Sequence, residues 1–227
     1  MNILIYKNQI KALSKKNRFF NRLISFLTTL YARRGVKVIK SPGVSIDVFN
    51  LGAGNCFKTG KNCFADRIKL EFRGNNNIVI MGDNVSMKEK CRIMVTGNNC
   101  SIRVGNNSTF SHHCQLEAQE EGTHIVIGED CMFSNNVLVR TNDSHYIYDA
   151  KTGCRTNMPA SVYIGNHVWA AAFVTIMKGV KIGEGTVIGY RSVVTKEAPA
   201  SCIVVGTPAK VVKTDIEWTR EPKEAYD

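Results

Sequence analysis

Residues 142–149, NDSHYIYD, put a histidine, two aspartates and two tyrosines within eight positions. Histidine is the side chain that most readily takes up and returns a proton near neutral pH. His145, flanked by Asp143, Ser144 and Tyr146, stands in too polar a setting to be a core residue. It is therefore either a solvated loop side chain or a general base, and its motif context favours the base. A base needs a partner to fix its tautomer. Asp143, Asp149 and nearby backbone carbonyls are the candidates, although Asp143 could equally shape the turn. Lys151 and Arg155 follow within ten residues and would attract an anionic ligand. No CxxC pair occurs among the eight cysteines, and no second histidine lies between His145 and His167. A three-histidine open zinc site is accordingly not expected, and no metal is assigned.

What surrounds this stretch is a repeat. Glycines at 60, 82, 105, 128, 165 and 183 recur in one setting, KTGKNC, IMGDNV, RVGNNS, VIGEDC, YIGNHV and KIGEGT, at spacings of 22, 23, 23, 37 and 18. Three places after each stands a small or branched residue: Cys63, Val85, Ser108, Cys131, Val168 and Thr186. Aliphatic and aromatic residues continue the register every six positions, as in Val104–Phe110–Leu116, Ile127–Phe133–Val139 and Ile182–Ile188–Val194. Such a step suits neither a helix nor a long alternating strand. It predicts an all-β solenoid with three short strands per coil and a continuous core. An 18-residue coil closes the triangle, and the turn-rich stretches 74–77, 97–100 and 118–124 hold the extra residues of the longer coils. The 37-residue interval is one coil plus about nineteen residues, inserted at about 141–160, and His145 lies near its start. Cys63, Cys91, Cys114 and Cys131 fall in the small inward position, where a thiol serves as a small hydrophobe. Trp169 is too large for that position. His112, His124 and His167 are expected at exposed turns.

The net charge of +11 is concentrated at one end. Residues 1–40 carry ten Lys or Arg and no acidic residue, whereas the remainder holds 20 basic and 19 acidic side chains. Residues 1–42 are expected to form a basic, helical arm, residues 43–213 the solenoid, and residues 214–227 a C-terminal tail. Phe19, Phe20, Leu23, Leu27 and Leu30 alternate with cations at near-helical spacing. That stripe suits docking on the end of the domain, or contact with an anionic membrane surface. A near-neutral body argues against a nucleic-acid partner. Reduced thiols and the lack of a long apolar leader suggest the cytoplasm, with the arm at the inner face of the membrane as a further expectation.

The stretch VYIGNHVWAAAFVTIMKGVKIGEGTVIGYRSVVTKEAPASCIVVGTPAKVVK, residues 162–213, resembles the C-terminal coils of the hexapeptide-repeat acyltransferases, with their SVVTK and G-x-PAK endings. The 24-residue interval from His145 to Trp169 is similar to that of the bacterial polysaccharide and polysialic acid O-acetyltransferases, which modify capsule or O-antigen sugars. The resemblance implies a left-handed parallel β-helix and a homotrimer with sites between subunits. It also implies transfer of an acetyl group from acetyl-CoA to a sugar or polysaccharide hydroxyl, directly within a ternary complex. It gives His145 the role of base and sets Trp169 beside the acetyl group or the CoA thiol. It further places Ala172 and Tyr190 along the pantetheine groove, Thr195, Lys196 and Lys213 near the phosphates, and His113 at the acceptor, where Tyr146 would join Lys151 and Arg155. The sequence departs from the family at Tyr190 and Arg191, where small residues are usual, and in WAAA and GTPAK. Two alternatives remain: an amino-sugar N-acetyltransferase, and a non-enzymatic solenoid that binds a polymer or serves as a scaffold.

Overall fold

A strand of two to five residues with one inward side chain per turn of the repeat cannot stand alone, because it buries too little apolar surface. Stacking removes the difficulty, and the computed structural model, which describes residues 35–223, is a parallel β-solenoid with three faces. The first face stacks Val36–Ile39, Asn55–Thr59, Ile78–Met81, Ser101–Val104, His124–Ile127, Val162–Ile164 and Lys181–Ile182. The second runs through Ser86–Met87, Thr109–Phe110, Met132–Phe133, Trp169–Ala170, Val187–Ile188 and Ile203–Gly206. The third runs through Val44–Leu51, Arg92–Thr96, Gln115–Gln119, Leu138–Arg140, Thr175–Ile176 and Val193–Val194. One long strand, Phe64–Arg73, bends round a corner and pairs on both the second and third faces.

The inward columns are those the six-residue register predicts. Val79, Ile102, Ile125 and Val162 are in register across four coils and fully buried. Phe110 and Phe133 stack at 4.6 Å. Each such side chain contributes about 1.5–3 kcal/mol by leaving water. The small inward position is occupied by Cys63, Val85, Ser108, Cys131, Val168 and Thr186, all buried. Its thiols and hydroxyls bond to the next coil: Cys63 Sγ to the Gly82 carbonyl at 3.0 Å, Ser108 Oγ to Gly128 at 3.0 Å. Burial pushes the Cys131 thiol up to about 11, as suits an inert packing residue. The recurring glycine is dictated by close approach. A Cβ on Gly105 would lie 2.5 Å from the carbonyl carbon of Gly128 in the coil below. The extra residues of the 22- and 23-residue coils lengthen the third face and its turn, at 74–76, 97–99 and 120–122.

The solenoid starts earlier than the expected boundary at residue 43. Val36–Ile39 pairs with Asn55–Thr59, its Lys37 turned outward, so 36–42 belong to the first coil and not to an arm. The rest of the predicted helical arm lies outside the described residues.

Candidate active site

The insert leaves the corner between the third and first faces, directly after Leu138–Arg140. Its root is buried: Thr141 Oγ1 accepts the Gln119 N–H at 2.8 Å and donates to the Gln119 carbonyl at 3.0 Å. Beyond the root the chain forms a small antiparallel hairpin. Tyr148 bridges Arg155, the Thr156 N–H donates to the Ile147 carbonyl at 2.8 Å, and the Asp149 N–H to Cys154 at 2.8 Å.

Two ion pairs tie the hairpin to the solenoid. Arg155 donates to both carboxylate oxygens of Glu120 at 2.5 and 2.7 Å and lies over the Tyr146 ring at 4.5 Å. Lys178 Nζ donates to Asp143 Oδ2 at 2.5 Å. The Arg155 bond holds Glu120 below the usual carboxylate range, and the Lys178 bond does the same for Asp143. Between these anchors sits Asn157, which is buried. Its amide nitrogen donates to Asp143 Oδ2 at 3.1 Å and to the His145 carbonyl at 2.7 Å, while its oxygen accepts the Ile147 N–H at 2.8 Å. The main chain of His145 is thereby fixed, and its side chain is left exposed. No described side chain engages the imidazole.

Neither expected orienting carboxylate touches the ring. Asp149 closes the hairpin tip, accepting the N–H groups of Lys151 and Thr152 at 3.0 and 2.7 Å and the Thr152 hydroxyl at 3.0 Å. Asp143 acts on His145 only through Asn157 and the backbone. Arg155, expected to meet an anionic ligand, has its charge satisfied by Glu120, whereas Lys151 is exposed at the tip. Tyr146 is exposed and packed on Arg155.

Trp169 begins the second-face strand Trp169–Ala170 and turns outward, so it occupies a different corner of the triangle from the insert. Its Nε1 is enclosed, with no acceptor among the described residues; at the insert's root Arg140 Nε likewise lacks an acceptor and Asn142 Oδ1 a donor. Each such atom costs about 1–3 kcal/mol. His167 stands at a turn as expected, but it is half-buried and not exposed. Its Nδ1 faces Asp130 Oδ2 at 2.7 Å, and its ring stacks on Trp218 of the tail. His124 lies within a strand, Nδ1 against Ser101 Oγ at 2.9 Å. His112 is exposed as expected.

The residues assigned to the cofactor are spread along the last coils. Ala172 and the exposed Tyr190 flank the corner between the second and third faces, where Phe173 meets Tyr190 edge-on at 5.7 Å and Arg191 lies over both rings. Thr195 and Lys196 are exposed at the far end of the third face. Since Ile176 pairs with Val194, Lys196 falls one coil beyond Lys178, on the edge that carries the insert. Lys213 ends the antiparallel strand Ala209–Lys213 beside the second face. His113 lies at the corner between the second and third faces in earlier coils, in an open groove of about 480 Å³ with Arg67, Lys69, Lys90, Arg92 and Gln115.

Residues 161–196 match the family model for the bacterial transferase hexapeptide, in six repeats. The polysialic acid O-acetyltransferase of Escherichia coli O1:K1 / APEC is 34% identical over 88 residues, 39% of this chain and 29% of that protein. The chloramphenicol acetyltransferase of Morganella morganii is 52% identical over 50 residues, 22% of this chain and 24% of that protein. The matches thus span less than a third of these curated relatives. The solved structure of the polysialic acid O-acetyltransferase OatWY superposes with a TM-score of 0.76 at 29% identity, over 84% of this chain and 90% of that one. The polySia-specific acetyltransferase NeuO gives 0.62 at 29%, over 86% and 93%. The chain is thus similar to the hexapeptide-repeat transferases, in sequence over residues 161–196 and in fold over most of its length.

The solenoid is the left-handed β-helix that the resemblance implied. The residues that position the insert, namely Glu120, Asn157 and Lys178, carried no local signal in sequence. Glu120 and Lys178 are each 35 residues from the partner they bind. Asn157 could have been suspected, as a polar residue near the end of a long insert that must return to the repeat.

Proposed function

We propose that the chain transfers an acetyl group from acetyl-CoA to a hydroxyl of a sugar or bacterial surface polysaccharide, with His145 as general base. The observation that carries this is the histidine's setting: a backbone pinned through Asn157 and an imidazole free of structural bonds, on a fold shared with OatWY and NeuO. A sugar hydroxyl is far too weak an acid to ionise at neutral pH, so it must lose its proton as it attacks. An imidazole nitrogen of His145 accepts that proton and returns it to the departing thiolate. The hydroxyl oxygen bonds to the acetyl carbon as the carbon–sulfur bond breaks. The thioester carbonyl gains negative charge meanwhile, and N–H donors stabilise it.

The residues present suit acetyl-CoA as co-substrate, which supplies the activated thioester. Trp169 is half-buried and turns outward from its strand, leaving part of the indole free to border an acetyl group or a thiol. Lys196, exposed on the insert's edge, supports this as a cation that a phosphate would meet. His145 and Trp169 occupy different corners of one solenoid, which supports a homotrimer in which a second copy completes each site. Lys151 at the exposed tip favours an anionic acceptor.

The test is CoA release from acetyl-CoA with neutral sugars, amino sugars and sialylated saccharides, comparing the parent with His145→Ala. Acceptor-dependent release that collapses in the variant is expected, with the oxygen-linked ester as product. Release that survives in His145→Ala removes His145 as base, and an amide product moves the chemistry to nitrogen.

A further inference from the structure

Trp169 has a neighbour that the repeat does not supply. Trp218 comes from the segment after the last strand, where the sequence suggested no more than a tail. It is only 7% exposed. Its ring stacks on His167 at 4.0 Å and 7°, and its Nε1 donates to the His167 carbonyl at 2.8 Å. His167 Nε2 faces the Trp218 carbonyl at 2.8 Å, while its Nδ1 meets Asp130. Arg220 closes the arrangement, with Nε donating to Asp130 Oδ1 at 3.0 Å and Nη2 reaching the carbonyls of Asp130 and Cys131 at 3.3 Å. Burial opposes charge on Asp130, but the bonds from His167 and Arg220 outweigh it and hold the carboxyl below its ordinary range. Nearer the solenoid, the Ile216 N–H donates to the Ser201 carbonyl at 3.0 Å.

A segment with no regular secondary structure is thus fastened at three levels, more than a solvated tail requires. What it holds in place is an indole against an indole: Trp218 meets Trp169 at 5.9 Å and 48°. Trp169 turns outward from its strand, and Trp218 packs on it from beyond the repeat. We propose that residues 214–220 form a strap whose function is to position Trp169. Trp218 sets the angle of the Trp169 indole, and His167, Asp130 and Arg220 hold Trp218. The catalytic half of this rests on the placement of Trp169 beside the reacting thioester.

The chain has only these two tryptophans, so changing Trp218 leaves Trp169 as the sole indole signal. The experiment compares Trp218→Ala with Trp218→Phe by acrylamide quenching, near-ultraviolet circular dichroism and acetyl-transfer kinetics, with Asp130→Asn as a second way to loosen the strap. In Trp218→Ala, Trp169 becomes more accessible to quencher and its dichroism falls. Turnover drops by about ten- to a hundredfold, as expected for a misplaced site residue, while acceptor KM stays unchanged. Trp218→Phe, which keeps a ring against Trp169, restores most of both, and Asp130→Asn shifts both in the direction of the alanine variant. Unchanged quenching in Trp218→Ala overturns the proposal, as does a loss carried by KM alone. A parent chain that transfers no acetyl group sinks the acetyl-transfer reading instead, because the quenching comparison still decides whether Trp218 holds Trp169.

Discussion

The corner between the first and second faces and the corner that carries the insert hold the chain by opposite means. At the first, side chains cap the neighbouring coil: Asp83 accepts the Lys61 N–H, Asn106 that of Asp83, and Asn166 that of Glu129, at 2.7–3.0 Å. Asn62, Asn84, Asn107, Asp130 and His167 take the left-handed turn conformation in one column, which asparagine and aspartate tolerate best. Most of these restraints join one coil to the next, the bonds of Asp130 and His167 to the strap being the exception, and the polar groups at the turn are used in repeating it. At the insert's corner the restraints are instead ion pairs between the insert and the flanking coils, Glu120–Arg155 and Asp143–Lys178. A rigid repeat leaves few side chains idle, and an exposed but fixed histidine is available where the repeat is suspended.

The largest effect that would test this contrast is on activity alone. His145→Ala should lower turnover by about 10²–10⁴-fold, with stability within about 0.5 kcal/mol of the parent in urea unfolding. A substantial loss of stability would mean that the imidazole has a structural role after all. Gly105→Ala should do the reverse. Its Cβ meets backbone at 2.5 Å, so unfolding should shift by about 1–3 kcal/mol or more, while turnover below the melting range changes little. Asn157→Ala should do some of both, costing about 1–3 kcal/mol and lowering turnover, because it holds the insert together as well as the His145 backbone.

Proton linkage tests the anchors at the insert's corner more finely. Glu120 and Asp143 have folded pKa values below their unfolded ones. Their stabilisation of the insert is therefore fully present above the unfolded values, about pH 4–4.5, and is lost as pH falls through the lowered ones. Hydrogen exchange at the Thr156 amide, corrected for its intrinsic rate, should stay protected from pH 7 to 5 and lose protection below about 4. Loss between pH 7 and 5 would show that these ion pairs are not the anchors. The smallest effect should come from Lys151→Ala: stability unchanged within about 0.5 kcal/mol, and a modest, salt-sensitive rise in KM confined to anionic acceptors.

The solenoid was legible because its forces are periodic. Val104, Phe110 and Leu116 are six apart and all buried, and the glycine spacing matches the strand register from 60 to 183. The insert's position was legible as an interruption of that period. Its internal geometry was not, since Arg155 and Asp149 look like free charges until folding brings Glu120 to one and closes a turn around the other. Trp218 was missed for the same reason. Its partner His167 lies 51 residues away, and nothing in TDIEWTR distinguishes a strap from a loose end. Trp169 was singled out by size and resemblance, and its place at another corner from His145 follows only from the faces.

The strand Ala209–Lys213 has a consequence beyond completing the second face. Among the described residues it is the one antiparallel strand in a parallel ladder, and it runs back along Ile203–Gly206. An open parallel edge invites another copy to add its own coil in register, end to end, and so to grow a fibre. A reversed final strand presents the wrong hydrogen-bond pattern for that addition, and Lys210 and Lys213 make it a charged one. The hairpin thus leaves the second face, at that end, no parallel edge to which a further coil could add in register.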